Sequence, residues 1–357
     1  MATGSLGLTT LRAALGASEG AATTPTRLLY IPVGALDTSG IQQFATIEDR
    51  RAWAKADGLA ALYSGIEDNV IRLTNVPLSF QDAGFLLATV PGMVSGAGTG
   101  AGTPTTTDTS AYIRTFTPSQ TVTAAGATGG YDLHLQFGMA DLIGTVGWSL
   151  PGLRCTSLTL ALNKRASGAD TGVLLSGTWQ TPKTATQIVA FTGTLSDRAQ
   201  TMIIGNNLKS YVDSTYATIG TTADANIMSA LWQWQRAAMF HDGMDATGLH
   251  TSMHFPGQQT NTLQLTRKFS DTVELAAYIA RTRRAVRIIN EGAVVGAVSA
   301  KNTLRLDFVG DPVNHTHVAQ DDMLYATIDY EGVHDATLLS SWSIYSINSI
   351  ATGYSTA

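Results

Sequence analysis

The chain has 357 residues, of which 44% are hydrophobic and only 14% charged, and its formal net charge is −5. With 35 Gly and about one Thr in every seven residues, it is a poor candidate for a helical bundle or coiled coil. The composition favours short β-branched strands joined by Gly, Ser, Thr and Asn turns, and the acidic balance excludes a basic nucleic-acid-binding module.

Residues 1–26 are rich in Gly, Ala, Ser and Thr without alternation and read as a flexible N-terminal arm. Met1 to Thr24 holds no signal-peptide core, and no stretch reaches the roughly 18 apolar residues of a helical membrane span. The expectation is a chain that folds in a reducing cytoplasm, stays soluble and inserts into no membrane. From Arg27 the pattern turns β-like through Leu28, Tyr30 and Pro32. A helix is predicted to open at Ser79, run through Phe85, Leu86 and Leu87, and stop near Pro91-Gly92. Ser95 to Thr109, nearly all Gly, Ala, Thr and Pro, reads as a mobile excursion.

Alternation returns at Tyr131–Phe137, and Thr156–Leu162 with Gly172–Gln180 reads as one hairpin. Cys155, the only cysteine, sits beside that hairpin, which predicts a buried thiol. In the second half, strands are predicted at Met202–Ile204, Lys209–Val212, Thr262–Thr266, Thr303–Val309, Met323–Tyr330 and Ser340–Ile347. A longer helix is predicted from Ser270 or Asp271 through Ala285. Leu275, Ile279 and Val286 there fall near helical spacing, and Arg281, Arg283 and Arg284 complement its C-terminal dipole.

An internal echo connects the halves. Arg51-Ala52 with Asp57-Gly58 matches Arg236-Ala237 with Asp242-Gly243. Phe80, Asp82 and Leu86 match Phe269, Asp271 and Leu275, so each predicted helix begins with the same Phe and Asp. Leu158, Leu160 and Leu162 match Leu304, Leu306 and Phe308. The order implies a tandem duplication: a first domain over 27–190, with a Gly/Thr-rich insertion at about 93–130, and a second over 191–357.

No motif for catalysis or cofactor binding is present: there is no Gly-x-Ser-x-Gly elbow, phosphate loop or His-Glu-x-x-His. The reading is therefore no enzyme, no cofactor and no metal. His315-x-His317, beside Asp311, Asp321 and Asp322, has the residue types of a metal site, but Pro312 and Asn314 predict a loop there with solvated histidines. Around His241-Asp242-Gly243 the oxygen ligands of a calcium loop are missing, and Asp242-Gly243 reads as a hairpin turn. Trp148, Trp232, Trp234 and Trp342 are read as core or interface anchors, with sugar or base stacking as the alternative.

Pro77–Ala88, Thr105–Pro118, Gly152–Ala161 and Val173–Trp179 together resemble the tail tube proteins of long-tailed phages with non-contractile tails. The resemblance implies a mainly β fold with one helix per unit: two tandem β-sandwich or half-barrel domains contributing to a closed ring β-barrel. It implies a structural role in stacked rings, trimeric with pseudo-sixfold symmetry, assembled in the host cytoplasm into the virion tail. The implied partners are other copies of the chain, a tape-measure protein inside the tube, and terminator and distal tail proteins at its ends. DNA would pass through without specific binding. Asp307 and Asp329, opposite the apolar face of the Thr303–Val309 and Met323–Tyr330 strands, are the candidate lumen residues. The alternatives are another tail component (terminator, distal tail or baseplate protein) and a carbohydrate-binding β-sandwich adhesin.

Overall fold

The computed structural model describes residues 9–16, 24–25, 27–29, 31–32, 35–43, 46–48, 62–64, 68–90, 93–94, 103–104, 110–118, 132–141, 144–164, 172–183, 185–191, 200–242, 250–255, 258–295, 299–320 and 323–350. In chain order these hold β1 (Thr9–Gly16), β2 (Arg27–Leu28), β3 (Leu36–Gln43), β4 (Thr46–Glu48), β5 (Leu62–Ser64), β6 (Asp68–Pro77) and helix α1 (Phe80–Leu87). Then come β7 (Met93–Val94), β8 (Thr103–Pro104), β9 (Tyr112–Pro118), β10 (Asp132–Asp141), β11 (Gly144–Asn163), β12 (Val173–Thr181) and β13 (Thr186–Ile188). The second half supplies β14 (Leu208–Asp213), β15 (Ile227–Gln235), β16 (Met239–Asp242), β17 (His250–His254), β18 (Thr260–Lys268) and helix α2 (Val273–Ile279). It ends with β19 (Arg284–Val294), β20 (Lys301–Gln320), β21 (Met323–Gly332) and β22 (Trp342–Asn348).

All of these strands pair antiparallel, and the pairings occur twice. β3 pairs with β6, β6 with β12, and β12 with the C-terminal half of β11. In the same order, β15 pairs with β18, β18 with β21, and β21 with the C-terminal half of β20. The N-terminal half of β11 lies between β10 and β13, with β1 beyond β10. The N-terminal half of β20 lies between β19 and β22, with β14 beyond β19. A two-stranded ribbon, β4–β5 or β16–β17, leaves each unit at the same place.

Even the bulges correspond. β11 shifts register between Cys155 and Ser157, opposite Trp179 and Thr178; β20 shifts between Pro312 and Asn314, opposite Tyr330 and Asp329. A bulge bends and twists a strand, and along its length each 20-residue strand pairs with different neighbours in its two halves.

The two units meet where β11 pairs with β15, from Ser157↔Gln235 to Asn163↔Ser229. One continuous sheet results, ordered β3, β6, β12, β11, β15, β18, β21, β20. Among the described residues, β3 and the C-terminal half of β20 pair on one side only, so the sheet is open and not closed into a barrel.

Strand alternation places Ile71, Leu73, Leu158, Leu160, Leu175, Trp179, Trp232, Trp234, Leu263, Leu265, Ile328 and Tyr330 on one face, each at most 3% exposed. Trp342 of β22 reaches Trp232 from the opposing layer, ring centroids 4.9 Å apart. A single apolar cluster runs through both halves. Cys155 lies inside it, and desolvation pushes its thiol pKa up, as the alternating stretch predicted.

Ser79 caps α1, its Oγ accepting from the Asp82 N–H at 2.9 Å. All eight residues of α1 are buried, because the second unit covers it. The Phe80 ring fills a notch at Gly292 of β19, where a Cβ would lie 2.6 Å from it. The Asn348 Nδ2 donates to the Phe80 carbonyl at 3.2 Å. Asp82 meets Arg27 at 2.6 Å, and that guanidinium lies over the Phe85 ring. α2 has no such cover: Val273 is 57% and Ile279 73% exposed.

Several expectations are corrected. Residues 9–16 of the expected flexible arm are strand β1, paired to β10 with Leu11, Ala13 and Leu15 buried. The second helix ends at Ile279; Arg281 takes φ 51°, and Ala285 already belongs to β19. Ser95 to Thr109 lies outside the described residues except at β8, while Tyr112–Pro118 of the insertion pairs with β22. His315 and His317 lie on β20 and not in a loop, because the bulge accommodates Pro312. Leu158 and Leu304, matched in sequence, sit in different halves of their long strands.

Because β1 is part of the core, Leu11→Ala and Leu15→Ala should each cost about 2–5 kcal/mol in denaturant unfolding. A change below about 0.5 kcal/mol would restore the reading of this segment as an arm.

Candidate functional site

The solvent face of the eight-stranded sheet is where the fold concentrates chemistry of one kind. Side chains opposite the core alternate with it, and the register aligns them in rows. One row crosses Ser176, Thr159, Gln233, Thr262 and Glu331. Another crosses Leu174, Ala161, Leu231, Gln264, Asp329 and Asn314. A third crosses Asn163, Ser229, Thr266, Thr327 and Thr316.

On the central strands β12, β11 and β15 this face carries hydroxyls, amides and apolar groups, together with the Arg154 guanidinium opposite Gln180, which Asp132 holds at 2.8 Å. The other charges lie toward its margins. Asp37 and Arg72 face each other on β3 and β6 at 3.5 Å, while Asp311, Asp329 and Glu331 mark the other side. The Ser39 N–H and hydroxyl, followed by Arg72, lower the Asp37 carboxyl pKa. Such a face is wettable and offers little to hold either a cation or a phosphate.

Asp329, one candidate lumen residue, lies on this face. Gln264 Nε2 donates to it at 2.7 Å and Asn314 Nδ2 at 2.8 Å, so one carboxylate links three strands. Asp307, the other candidate, is corrected: it is 1% exposed and belongs to the interior. Arg287 Nε meets it at 2.6 Å and Arg305 Nε at 3.1 Å, and the Tyr216 hydroxyl donates to it at 2.9 Å. Burial, then the Asp307 carboxylate, raises the Tyr216 phenol pKa. Alternation with Leu306 and Phe308 gave its direction correctly; a second layer occupies that side.

The remaining candidates separate. Phe80, Asp82 and Leu86 open and fill α1 as expected, all buried. Phe269 precedes α2 and meets the His317 ring edge-on at 4.8 Å. Asp271 stands just before the Thr272 cap and accepts from the Val273 N–H at 3.1 Å. Leu275 is half-buried on α2. Arg236 is buried and donates to the Phe255 carbonyl at 3.0 Å. Asp242 closes β16 opposite His250. Arg51, Asp57, Gly58 and Gly243 lie outside the described residues.

Glu274 of α2 was not singled out from sequence. Its Oε2 accepts from the Tyr330 hydroxyl at 3.1 Å and from Arg284 Nε at 3.2 Å, and burial followed by that carboxylate pushes the Tyr330 phenol well above its ordinary pKa. These contacts pin α2 to the sheet. No group of three or more His, Cys, Asp or Glu suited to a metal occurs among the described residues. Trp232, Trp234 and Trp342 are 0% exposed, which leaves them nothing to stack on from solvent.

The other notable feature is the pair of unpaired margins, β3 on one side and residues 311–320 of β20 on the other. Unpaired N–H and C=O groups along a strand are a template for another strand. No family model matches the chain, and no curated protein matches it.

Asp307→Ala should destabilise the fold by about 3–5 kcal/mol, because it removes the interior carboxylate that Arg287 and Arg305 share. Asp329→Asn, on the solvent face, should cost less than about 1 kcal/mol. Chemical denaturation checks both, and equal effects would contradict the assignment of Asp307 to the interior and Asp329 to the open face.

Proposed function

We propose that the chain is a tail tube protein of a long-tailed phage with a non-contractile tail, built as two tandem tube domains at about 27–190 and 191–357. In this reading β1 belongs to the first domain. Copies close into rings, and the rings stack into a hollow conduit through which the genome passes. The observation that carries the reading is the repeated strand pairing: the β11–β15 seam already joins one unit to the next, and the same two kinds of edge stand open at the ends of the sheet.

A chain whose two ends carry complementary edges propagates head to tail, and it closes if the rotation between units returns on itself. Three copies supply about 24 strands; at a spacing of about 4.8 Å and a tilt of about 40°, these close into a barrel about 48 Å across between backbones. Side chains narrow that to a bore on the order of 38 Å, wider than a DNA duplex. The Ser, Thr and Gln face would line it. A conduit must stay wet without gripping phosphates, and the hydroxyl and amide face of β12, β11 and β15, whose cation Arg154 is held by Asp132 at 2.8 Å, suits that task. A structural role in the virion tail needs no catalytic residue and no cofactor. The tape-measure, terminator and distal tail partners follow from the same reading.

Electron microscopy of the purified protein should show rings or hollow filaments with a regular axial repeat. A monomer that stays monodisperse at high concentration would overturn the proposal. In assembled tubes, Thr159→Lys combined with Gln233→Lys should produce salt-dependent DNA binding absent from the parent tube. DNA binding that is tight in the parent and unchanged by the lysines would place this face elsewhere than the bore.

A further inference from the structure

The chain contains its own template for the contact between copies. Counted from their bulges, Ser157 to Asn163 of β11 correspond to Asn314 to Gln320 of β20. β11 is sealed by β15, and there Leu158 and Leu160 are buried opposite Trp234 and Trp232. The residues in those two places on β20 are His315 and His317. Val318, 53% exposed, holds the place where Ala161 faces Leu231. On β3 the counterpart of Leu231 is Asp37, because Asp37 faces Arg72 as Leu231 faces Gln264. α1 is buried throughout, covered by β19 and β22 of the second unit, whereas α2 presents Val273 and Ile279 to solvent. Beside them Tyr278, Ile279, Pro312 and Val313 line an open groove together with the charged Arg281, Asp311 and Glu331.

We propose that the outer edge of β20 and the bare side of α2 form a docking surface for a second copy, whose β3 edge pairs with β20 in the register that β11 and β15 use within the chain. Val318 of one copy then faces Asp37 of the next, and His315 and His317 are enclosed beneath the joint. The proposal rests on the tube reading above and specifies its contact. Each copy offers one edge of each kind, so the surface is satisfied only by another copy.

The histidine pair gives this joint a property the internal seam lacks. The two rings lie 4.7 Å apart, His315 lies 5.9 Å from Tyr278, and His315 Nδ1 is buried without a hydrogen-bond partner among the described residues. Glu274 of α2 and Arg267 of β18 act on His315 electrostatically, and Asp37 arrives with the second copy. Burial, then the neighbouring His317, already lowers the His315 pKa. Closing the joint buries the His315 ring further and disfavours its charged form. A group whose pKa is lowered by association opposes it as pH falls through the histidine range and does not oppose it above that range.

The test is Val318→Cys combined with Asp37→Cys in the full chain, treated with a short thiol-to-thiol cross-linker at about pH 8, above the histidine range. Cys155 is buried and stays silent. The double variant should give a covalent ladder of two and three chains, and each single variant none. Rings or filaments under the microscope with no ladder would overturn this joint and leave the tube reading standing. Absence of any assembly, in the parent as well, would overturn both. His315→Leu with His317→Leu, added to the double-cysteine chain, copies Leu158 and Leu160. It should hold ladder yield constant down to about pH 5, below the histidine range, where the histidine form loses tenfold or more. An equal loss in both would show that the pair does not sit in the joint.

Discussion

Backbone groups along the margin of a β-sheet must find partners in another strand, in side chains or in water, and the architecture of this chain turns on that constraint. Within the chain the problem is met once, where β15 lies against β11 and two four-stranded units become one sheet. The same arrangement leaves β3 and the distal half of β20 at its limits, each paired on one side. Isolated domains usually blunt such margins with bulges, prolines or inward charges. Here β3 is broken by register shifts around Gly40 and β20 carries Pro312 and a bulge, but seven residues beyond that bulge remain regular.

The packing explains why the two halves look alike in topology and unlike in detail. α1 sits at an interface already made, so Phe80 can be wholly apolar and lock into the Gly292 notch while Asp82 and Arg27 neutralise each other in the interior. α2 sits where no partner is present in the single chain, and it is anchored from beneath by Glu274 to Arg284 and Tyr330. The same contrast separates Leu158 and Leu160 from His315 and His317. A seam sealed within the chain favours aliphatic packing, whereas a margin that meets water favours groups that tolerate it.

Much of this was legible in the residues. The β11–β12 hairpin follows from Leu158, Leu160 and Leu162 alternating with Thr159 and Ala161, and α1 from Ser79 ahead of an apolar turn. β1 escaped notice because Leu11, Ala13 and Leu15 lie in a Gly- and Ala-rich stretch, and only β10 makes their alternation useful. α2 was read too long because Val286 continues a helical spacing, while the positive φ of Arg281 that stops the helix leaves no trace in composition. The residue matches of the internal echo do not all follow the repeated strand pairing. Phe80 begins a helix where Phe269 precedes one, and Leu158 lies beyond its bulge where Leu304 lies before it. Short identities drift; a pairing pattern is held by the whole sheet. The layer that buries Asp307 is likewise a tertiary fact, since alternation gives the side of a strand and not what covers it.

The account is tested most directly by the mass of the smallest closed assembly. Native mass spectrometry of the purified chain should find a particle at three times the 37.6 kDa chain mass, with heavier species at whole multiples of it. A particle that stops at two chains would contradict the account, because a symmetric pair joins one kind of edge to itself and leaves both copies of the other kind open.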